Sequence, residues 1–381
     1  MAPHRWHHAG AFDDVLSLAD VDRALTGAGL RRPAVRAVRD GEPLAPSSYS
    51  RPARIGGSTV DDLVDVGRLL DLFASGATIV LQGLHRWWPP TARFCRDLEV
   101  ALGHAVQTNA YLTPPGAAGL AAHHDTHDVF VLQVAGTKHW VVREPVMADP
   151  LPRQLSTVDS AGAQPVLFEA DMTPGDSLYL PRGFVHSAAA QQGVSLHLTV
   201  GILATTVHDV LAEVLALADG DAAFRRSLPA GWAFDAERSA GAVKGALADL
   251  ADWLDRVDPA EVAGRLRDRF VANRTPVLAG QLLEVAALDA VDDATLVRRR
   301  PGTIATLAPG EPLRLRLGDR TLALPGALEP AVRRLTDGHL HRIGDLADLL
   351  DGPSRLVLAR RLIREGALVT GVAGDAGGGD G

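Results

Sequence analysis

Apolar and polar positions along this chain follow three rhythms in succession. Over the first 95 residues the pattern is mixed. Asp61–Ala74 sets Leu63, Val64, Val66, Leu69, Leu70 and Leu72 mostly on one side of a helical wheel, which predicts an amphipathic helix. Thr78–Leu81 is a short apolar β-like run, and Pro89-Pro90 suits the first turn of a helix that continues through Arg93–Leu102. From residue 105 to 202 the apolar runs are short, β-branched and aromatic, with Gly and Pro between them. Strands are predicted over Val106–Leu112, Val129–Val134, His139–Arg143, Pro165–Glu169, Ser177–Leu180 and Leu196–Val200. So many strands at close spacing predict a sandwich or barrel. Residues 205–295 then turn helical, over Val207–Ala218, Ala240–Val257 and Pro259–Asn273.

The last rhythm, residues 296–371, mixes both. Leu313–Leu317 and Arg320–Leu324, joined by Gly318-Asp319, read as a hairpin. Helices follow at Ala327–Leu335, Ile343–Leu350 and Pro353–Glu365, an order that resembles a winged-helix module. This segment holds 13 arginines against 8 acidic residues, a local charge of +5. The Gly- and Asp-rich stretch 372–381 reads as a disordered tail.

Composition narrows the class. A chain of 381 residues with 46% hydrophobic and 22% charged residues has material for two or three domains and is not globally disordered. The single cysteine, Cys95, excludes a disulfide framework and a multi-cysteine zinc site. A net charge of -8 argues against a wholly electrostatic nucleic-acid binder. The beginning of the chain has no apolar signal region, and no 18-residue apolar stretch suits a membrane span. These features predict a soluble, cytoplasmic protein with no membrane partner. Only two of the 38 basic residues are lysines, Lys138 and Lys244, so a lysine at a functional position is unlike background.

The densest polar cluster is Ala121-Ala-His-His-Asp-Thr-His-Asp128, directly before the apolar run Val129–Val134. On a strand, His123, Asp125 and His127 point one way, and His124, Thr126 and Asp128 the other. His124 is then expected outward and solvated, and Asp128 at the end of a hydrogen-bond network. His127 is either structural or a pocket residue. A His-X-Asp pair supplies two metal ligands, and a second histidine completes the 2-His-1-carboxylate triad of non-haem Fe(II) oxygenases. His186 is the candidate, at the end of Gly175-Asp-Ser-Leu-Tyr-Leu-Pro-Arg-Gly-Phe-Val-His186, whose two tight turns flank a short strand. The spacing Gly-X5-Pro-X-Gly-X2-His is the second signature of cupin-type double-stranded β-helices.

With these residues in view, the chain resembles the JmjC-type 2-oxoglutarate oxygenases, and among them the ribosomal-oxygenase (cupin-4) branch. The resemblance runs through Asn109-Ala-Tyr-Leu-Thr-Pro-Pro-Gly116, His123–Gln133, Gly136-Thr-Lys-His-Trp140, Leu180–His186 and Ser195-Leu-His-Leu-Thr-Val-Gly201. It implies an α+β protein: a double-stranded β-helix core over 1–204, a helical dimerisation region over 205–295 and a winged-helix domain over 296–371. It further implies Fe(II) on His123, Asp125 and His186, with 2-oxoglutarate and O2 as cosubstrates. Lys138 would meet the far carboxylate of 2-oxoglutarate, a task for a cation in an apolar pocket. Asn109 and Tyr111 match cosubstrate-contacting positions, and Ser195 and His197 match a strand lining the same pocket.

The function so implied is hydroxylation of an arginine or histidine side chain of a ribosomal protein by a homodimer. The charge of -11 over residues 1–295 suits a basic partner. Two other readings stand beside it: an oxygenase acting on a peptide or small molecule, and a non-catalytic metal-binding cupin whose winged helix contacts nucleic acid. Packing or substrate docking outweighs nucleic-acid binding for the winged helix. Trp87-Trp88 is read as core packing.

Overall fold

The computed structural model describes residues 1–117, 120–154 and 164–371. The stretch 372–381, read above as a tail, lies outside the described residues. The chain divides into two compact units, Met1–Ala204 and Thr205–Gly381.

The first unit is built on two antiparallel sheets. In chain order its strands are β1 (His4–His7), β2 (Val35–Arg39), β3 (Glu42–Pro43), β4 (Ser50–Ile55), β5 (Ser58–Val64), β6 (Thr78–Leu81), β7 (Ala105–Thr113), β8 (Asp128–Ala135), β9 (Lys138–Pro145), β10 (Val166–Met172), β11 (Asp176–Leu180), β12 (Phe184–Ala190) and β13 (Ser195–Leu203). Eight strands form one sheet in the order β1-β11-β8-β13-β7-β6-β2-β3, and three form a second in the order β10-β9-β12. This is the expected double-stranded β-helix. Strands β4 and β5 make a separate hairpin.

Period-two alternation sorts the side chains of the large sheet. On β7 and β13, Val106, Ala110, Leu112, Leu196, Leu198 and Val200 join a core with the helices α1 (Leu18–Gly27), α2 (Val66–Ala74), α3 (Leu84–Trp87) and α4 (Pro89–Leu102). Trp87 and Trp88 pack at the edge of this core, as expected. Between the sheets, Val129, Val131, Trp140, Val142, Met172, Leu178 and Leu180 form a smaller apolar cluster. The remaining inward positions on β7 and β13 are mostly polar. They face one another in register: Gln107 opposite Gly201, Asn109 opposite Thr199, and Tyr111 opposite His197.

Two expectations need correction. The helix read over Asp61–Ala74 begins only at Val66, because Asp65 caps it by accepting from the Arg68 N–H. Residues 58–64 instead pair with β4. The polar cluster at 123–128 is also not a regular strand. Of residues 123–127 only His123 pairs, through one bridge to His186, and β8 starts at Asp128.

The second unit opens with α5 (Val207–Ala218), α6 (Ala236–Leu254), α7 (Pro259–Ala272) and α8 (Gln281–Ala286). It continues with a compact α/β part whose buried core includes Val297, Leu313, Leu315, Val332, Leu335, Ile343, Leu358 and Leu362. Leu313–Leu317 and Arg320–Leu324 pair as a hairpin with Leu317 opposite Arg320. Among the described residues no helix is long and apolar enough to cross a membrane.

Candidate active site

His123, Asp125 and His186 meet at one end of the space between the sheets. One ligand atom of each lies within 4.8 Å of the others, and this is the only such cluster among the described residues. The backbone brings them together. His123 N–H donates to the His186 carbonyl at 3.1 Å, and His186 N–H donates to the His123 carbonyl at 2.8 Å. Gly183 N–H donates to the Asp125 carbonyl at 2.9 Å. Gly183 has φ +91°, and a Cβ there would stand 2.0 Å from the Met147 carbonyl oxygen. Only glycine fits that turn.

The two imidazoles are oriented as nitrogen ligands. His123 Nδ1–H donates to the Ala121 carbonyl at 2.7 Å, and His186 Nδ1–H to the Phe184 carbonyl at 3.1 Å. That fixes the tautomer and turns each Nε2 lone pair toward the cluster. Burial, then the neighbouring His123, pushes the His186 imidazole down to about 4, so it is neutral at pH 7. His186 Nε2 lies 3.8 Å from Asp125 Oδ2. Two imidazoles and one carboxylate with open space beside them fit a divalent iron.

That space is a cavity of about 320 Å³. Lys138 lies at its far end, 2% exposed, with Nζ donating to Thr113 Oγ1 at 3.2 Å. Its Nζ stands 3.5 Å from His197 Nδ1. Among the described residues no carboxylate compensates it, and burial alone pushes its ammonium down to about 7. His197 is buried and held well below its ordinary value by burial and then by Lys138, so it stays neutral. Its ring stacks on Tyr111 at 4.9 Å and meets the edge of Trp140 at 5.5 Å. A buried ammonium beside aromatic rings, with no carboxylate partner among the described residues, has the chemistry to receive a carboxylate.

The other expected residues divide. Asn109 lines the cavity, with Oδ1 accepting from Gly83 N–H at 2.9 Å. Tyr111 also lines it, and burial raises its hydroxyl above the ordinary value. Ser195 does not reach it. Its hydroxyl accepts from the Gln133 amide at 3.0 Å and is fully buried. His127 lines the cavity, seated over Gly201, where a Cβ would come within 2.5 Å of its ring. His124 is corrected: it is 3% exposed, not solvated, because the chain bends where a strand was expected. Asp128 does end a network, with Oδ1 accepting from Arg182 N–H at 2.9 Å. Arg36 and Gln107 also line the cavity and were not foreseen, since neither lies in a recognisable motif.

Comparison with known proteins gives the following. Residues 85–210 match the model of the JmjC domain family. Ribosomal oxygenase 2 of Bos taurus is 31% identical over 248 residues, which cover 61% of this chain and 53% of that protein. Ribosomal oxygenase 1 of Rattus norvegicus is 37% identical over 171 residues, 42% of this chain and 28% of that protein. The bifunctional lysine-specific demethylase and histidyl-hydroxylase NO66 of Caenorhabditis elegans is 35% identical over 202 residues, 50% of this chain and 26% of that protein. The matches thus span about half or less of these relatives. Among solved structures, YcfD, a ribosomal oxygenase from Escherichia coli in complex with cobalt and 2-oxoglutarate, superposes with a TM-score of 0.53 at 17% identity. That match covers 98% of this chain and 95% of YcfD, a likeness of fold.

Proposed function

We propose that this chain, which belongs to the JmjC family of ribosomal oxygenases, is an Fe(II)- and 2-oxoglutarate-dependent hydroxylase of a protein side chain. The substrate is a ribosomal protein, modified on histidine or arginine. One observation carries the reading: the His123–Asp125–His186 triad opens into the same cavity as the buried, unpaired Lys138. YcfD, which has this fold, is described with 2-oxoglutarate and cobalt. Fe(II) on such a triad supplies O2 activation coupled to oxidation of the keto acid.

The chain's own residues do the rest. His123 and His186 hold their Nε2 atoms forward by spending Nδ1–H on backbone carbonyls. Lys138 receives the distal carboxylate and, with Thr113, fixes how deep the cosubstrate sits. Tyr111, Trp140 and His197 wall that end and exclude water. Asn109 and His127 line the cavity around the space left for the substrate side chain.

Division into a catalytic region 1–204, a helical dimerisation region 205–295 and a winged-helix domain 296–371 belongs to the same proposal, as does a cytoplasmic site of action. The dimer is supported by α5, where Val207, Leu211 and Leu215, four residues apart, are more than half exposed. The test is incubation of purified ribosomes with the chain, Fe(II), 2-oxoglutarate and O2. A ribosomal protein should gain the mass of one oxygen, with 2-oxoglutarate turnover lost in His123→Ala, Asp125→Ala and His186→Ala. Unimpaired turnover in all three variants would overturn the proposal.

A further inference from the structure

The turn between β11 and β12 delivers His186, and three bonds tie it to neighbouring segments. Gly183 N–H donates to the Asp125 carbonyl at 2.9 Å, and the Gly183 carbonyl accepts from Val146 N–H at 3.2 Å. Both are backbone bonds and depend little on which side chains are present. The third comes from a side chain: Arg182 N–H donates to Asp128 Oδ1 at 2.9 Å. Arg182 and Gly183 are consecutive, and in an extended strand their N–H groups would point to opposite sides. Here Gly183 has φ +91°, and both N–H groups reach the segment 125–128. Successive N–H groups turned to one side form a small anion-binding concavity, and the Asp128 carboxylate occupies it.

Asp128 is not a fourth metal ligand. Its Oδ1 accepts from the Arg182 N–H, and its Oδ2 faces the Arg182 guanidinium, with Nη1 3.7 Å away. The backbone of Asp128 is fixed as well, since it opens β8 opposite Ile202 of β13. One carboxylate thus joins the large sheet to the turn, three residues after Asp125 and on the residue four before His186. The geometry points to Asp128 as a positioning residue. By holding the Arg182 N–H it sets the separation of Asp125 from His186, and so the affinity of the triad for a divalent metal. Without that acceptor the turn gains freedom, and metal binding must then order it. The proposal rests on the triad being a metal site and assigns to this chain the residue that tunes it.

The test is anaerobic titration of the full chain with Co(II), followed by the visible d–d absorption bands, with Tm of the metal-free proteins measured alongside. Asp128→Ala should weaken Co(II) binding by about tenfold to a hundredfold and change the band shape. Asp128→Asn should stay within about threefold of wild type with its bands intact, because its Oδ1 still accepts from the Arg182 N–H. If Asp128→Ala does not fold, Asp128→Ser, whose hydroxyl is too short to reach that N–H, takes its place with the same expected loss. A merely structural role would lower the metal-free Tm and leave Co(II) affinity and bands unchanged, which would overturn the assignment. Equal losses in Asp128→Ala and Asp128→Asn would also overturn it, since the effect would then follow the charge and not the hydrogen bond. A wild type that binds no Co(II), or an Asp125→Ala variant that binds it as tightly as wild type, defeats the metal-site reading and the proposal with it.

Discussion

Replacing Lys138 with methionine should remove the cosubstrate and stabilise the ligand-free protein. The buried ammonium falls from an ordinary 10.5 to about 7 through burial alone. At about 1.4 kcal/mol per pH unit, holding that charge costs on the order of 5 kcal/mol. Relaxation and water penetration soften such penalties. A realised gain of about 2 kcal/mol would raise Tm by roughly 4–8 °C in a unit of this size. The sign follows from linkage. Between pH 7 and 10.5 the unfolded chain binds this proton and the folded chain does not, so stability due to Lys138 rises with pH through that window. Below pH 7 both states are protonated and the full penalty stands. Wild-type Tm should therefore climb from pH 7 to 9 relative to Lys138→Met. For 2-oxoglutarate the change has the opposite sense. Losing one partner of a buried charge pair costs about 2–5 kcal/mol, or roughly 30-fold to several thousandfold in affinity. Wild-type affinity should itself fall above pH 7, since the carboxylate needs the ammonium form. Thermal unfolding with and without 2-oxoglutarate, and calorimetric titration across this pH range, read all three effects. Affinity within about threefold of wild type in Lys138→Met would refute the assignment of this end of the cavity.

Three further outcomes follow from the geometry. Asp125→Ala should abolish the rise in Tm that Fe(II) or Co(II) gives the wild type, measured anaerobically, because two imidazoles alone hold a divalent ion weakly. Gly201→Ala puts a methyl group 2.5 Å from the His127 ring, so turnover should fall at least about tenfold while metal affinity holds. Asp176→Asn should loosen the first strand, since this fully buried carboxylate accepts from Arg5 at 2.9 Å and from Thr173 N–H at 2.7 Å. The loss should be about 1–3 kcal/mol, with faster hydrogen exchange over residues 4–7. Burial alone would raise the Asp176 carboxyl, but its hydrogen bonds outweigh this and hold it below 3.8. Its stabilisation is present above pH 4 and lost in more acid solution, so the variant's deficit should shrink there.

How much of this was legible in the sequence depended on the range of the signal. Strands β7 and β13 were visible because one face packs on helices and the other faces the opposite sheet, which imposes period two on side-chain type, and β9 because Lys138, Trp140 and Val142 are buried at alternate positions. The turn before His186 was visible because Gly183 must occupy a conformation closed to other residues. The role of Lys138 came from resemblance and from the scarcity of lysine, while its burial is a property of the fold alone. Arg36 was invisible. Its place beside Tyr111 depends on β6 lying between β2 and β7, and on Val80 as the shared neighbour, a register that no local pattern encodes. Ser195 was overread for the reverse reason: its strand lines the cavity, but its hydroxyl is spent on Gln133.

The misreading of residues 123–128 shows why the triad works. In a regular strand, alternate residues share a face but lie roughly 6.6 Å apart along it. Two ligands at that spacing suit a flat surface better than one ion. Here the chain pairs with β12 only at His123, and Asp125 is then held through its own carbonyl by Gly183 N–H. The break lets the Asp125 carboxylate turn back toward both imidazoles, so that all three ligand atoms fall within 4.8 Å. It also buries His124, with Nε2 meeting no acceptor or donor among the described residues, a cost that a continuous strand would not carry. Because Gly183 belongs to the turn that delivers His186, one backbone hydrogen bond ties the carboxylate segment to the second histidine's strand. The sheet therefore gives up regular pairing at the one place where convergence of three side chains matters more than a hydrogen-bonded edge.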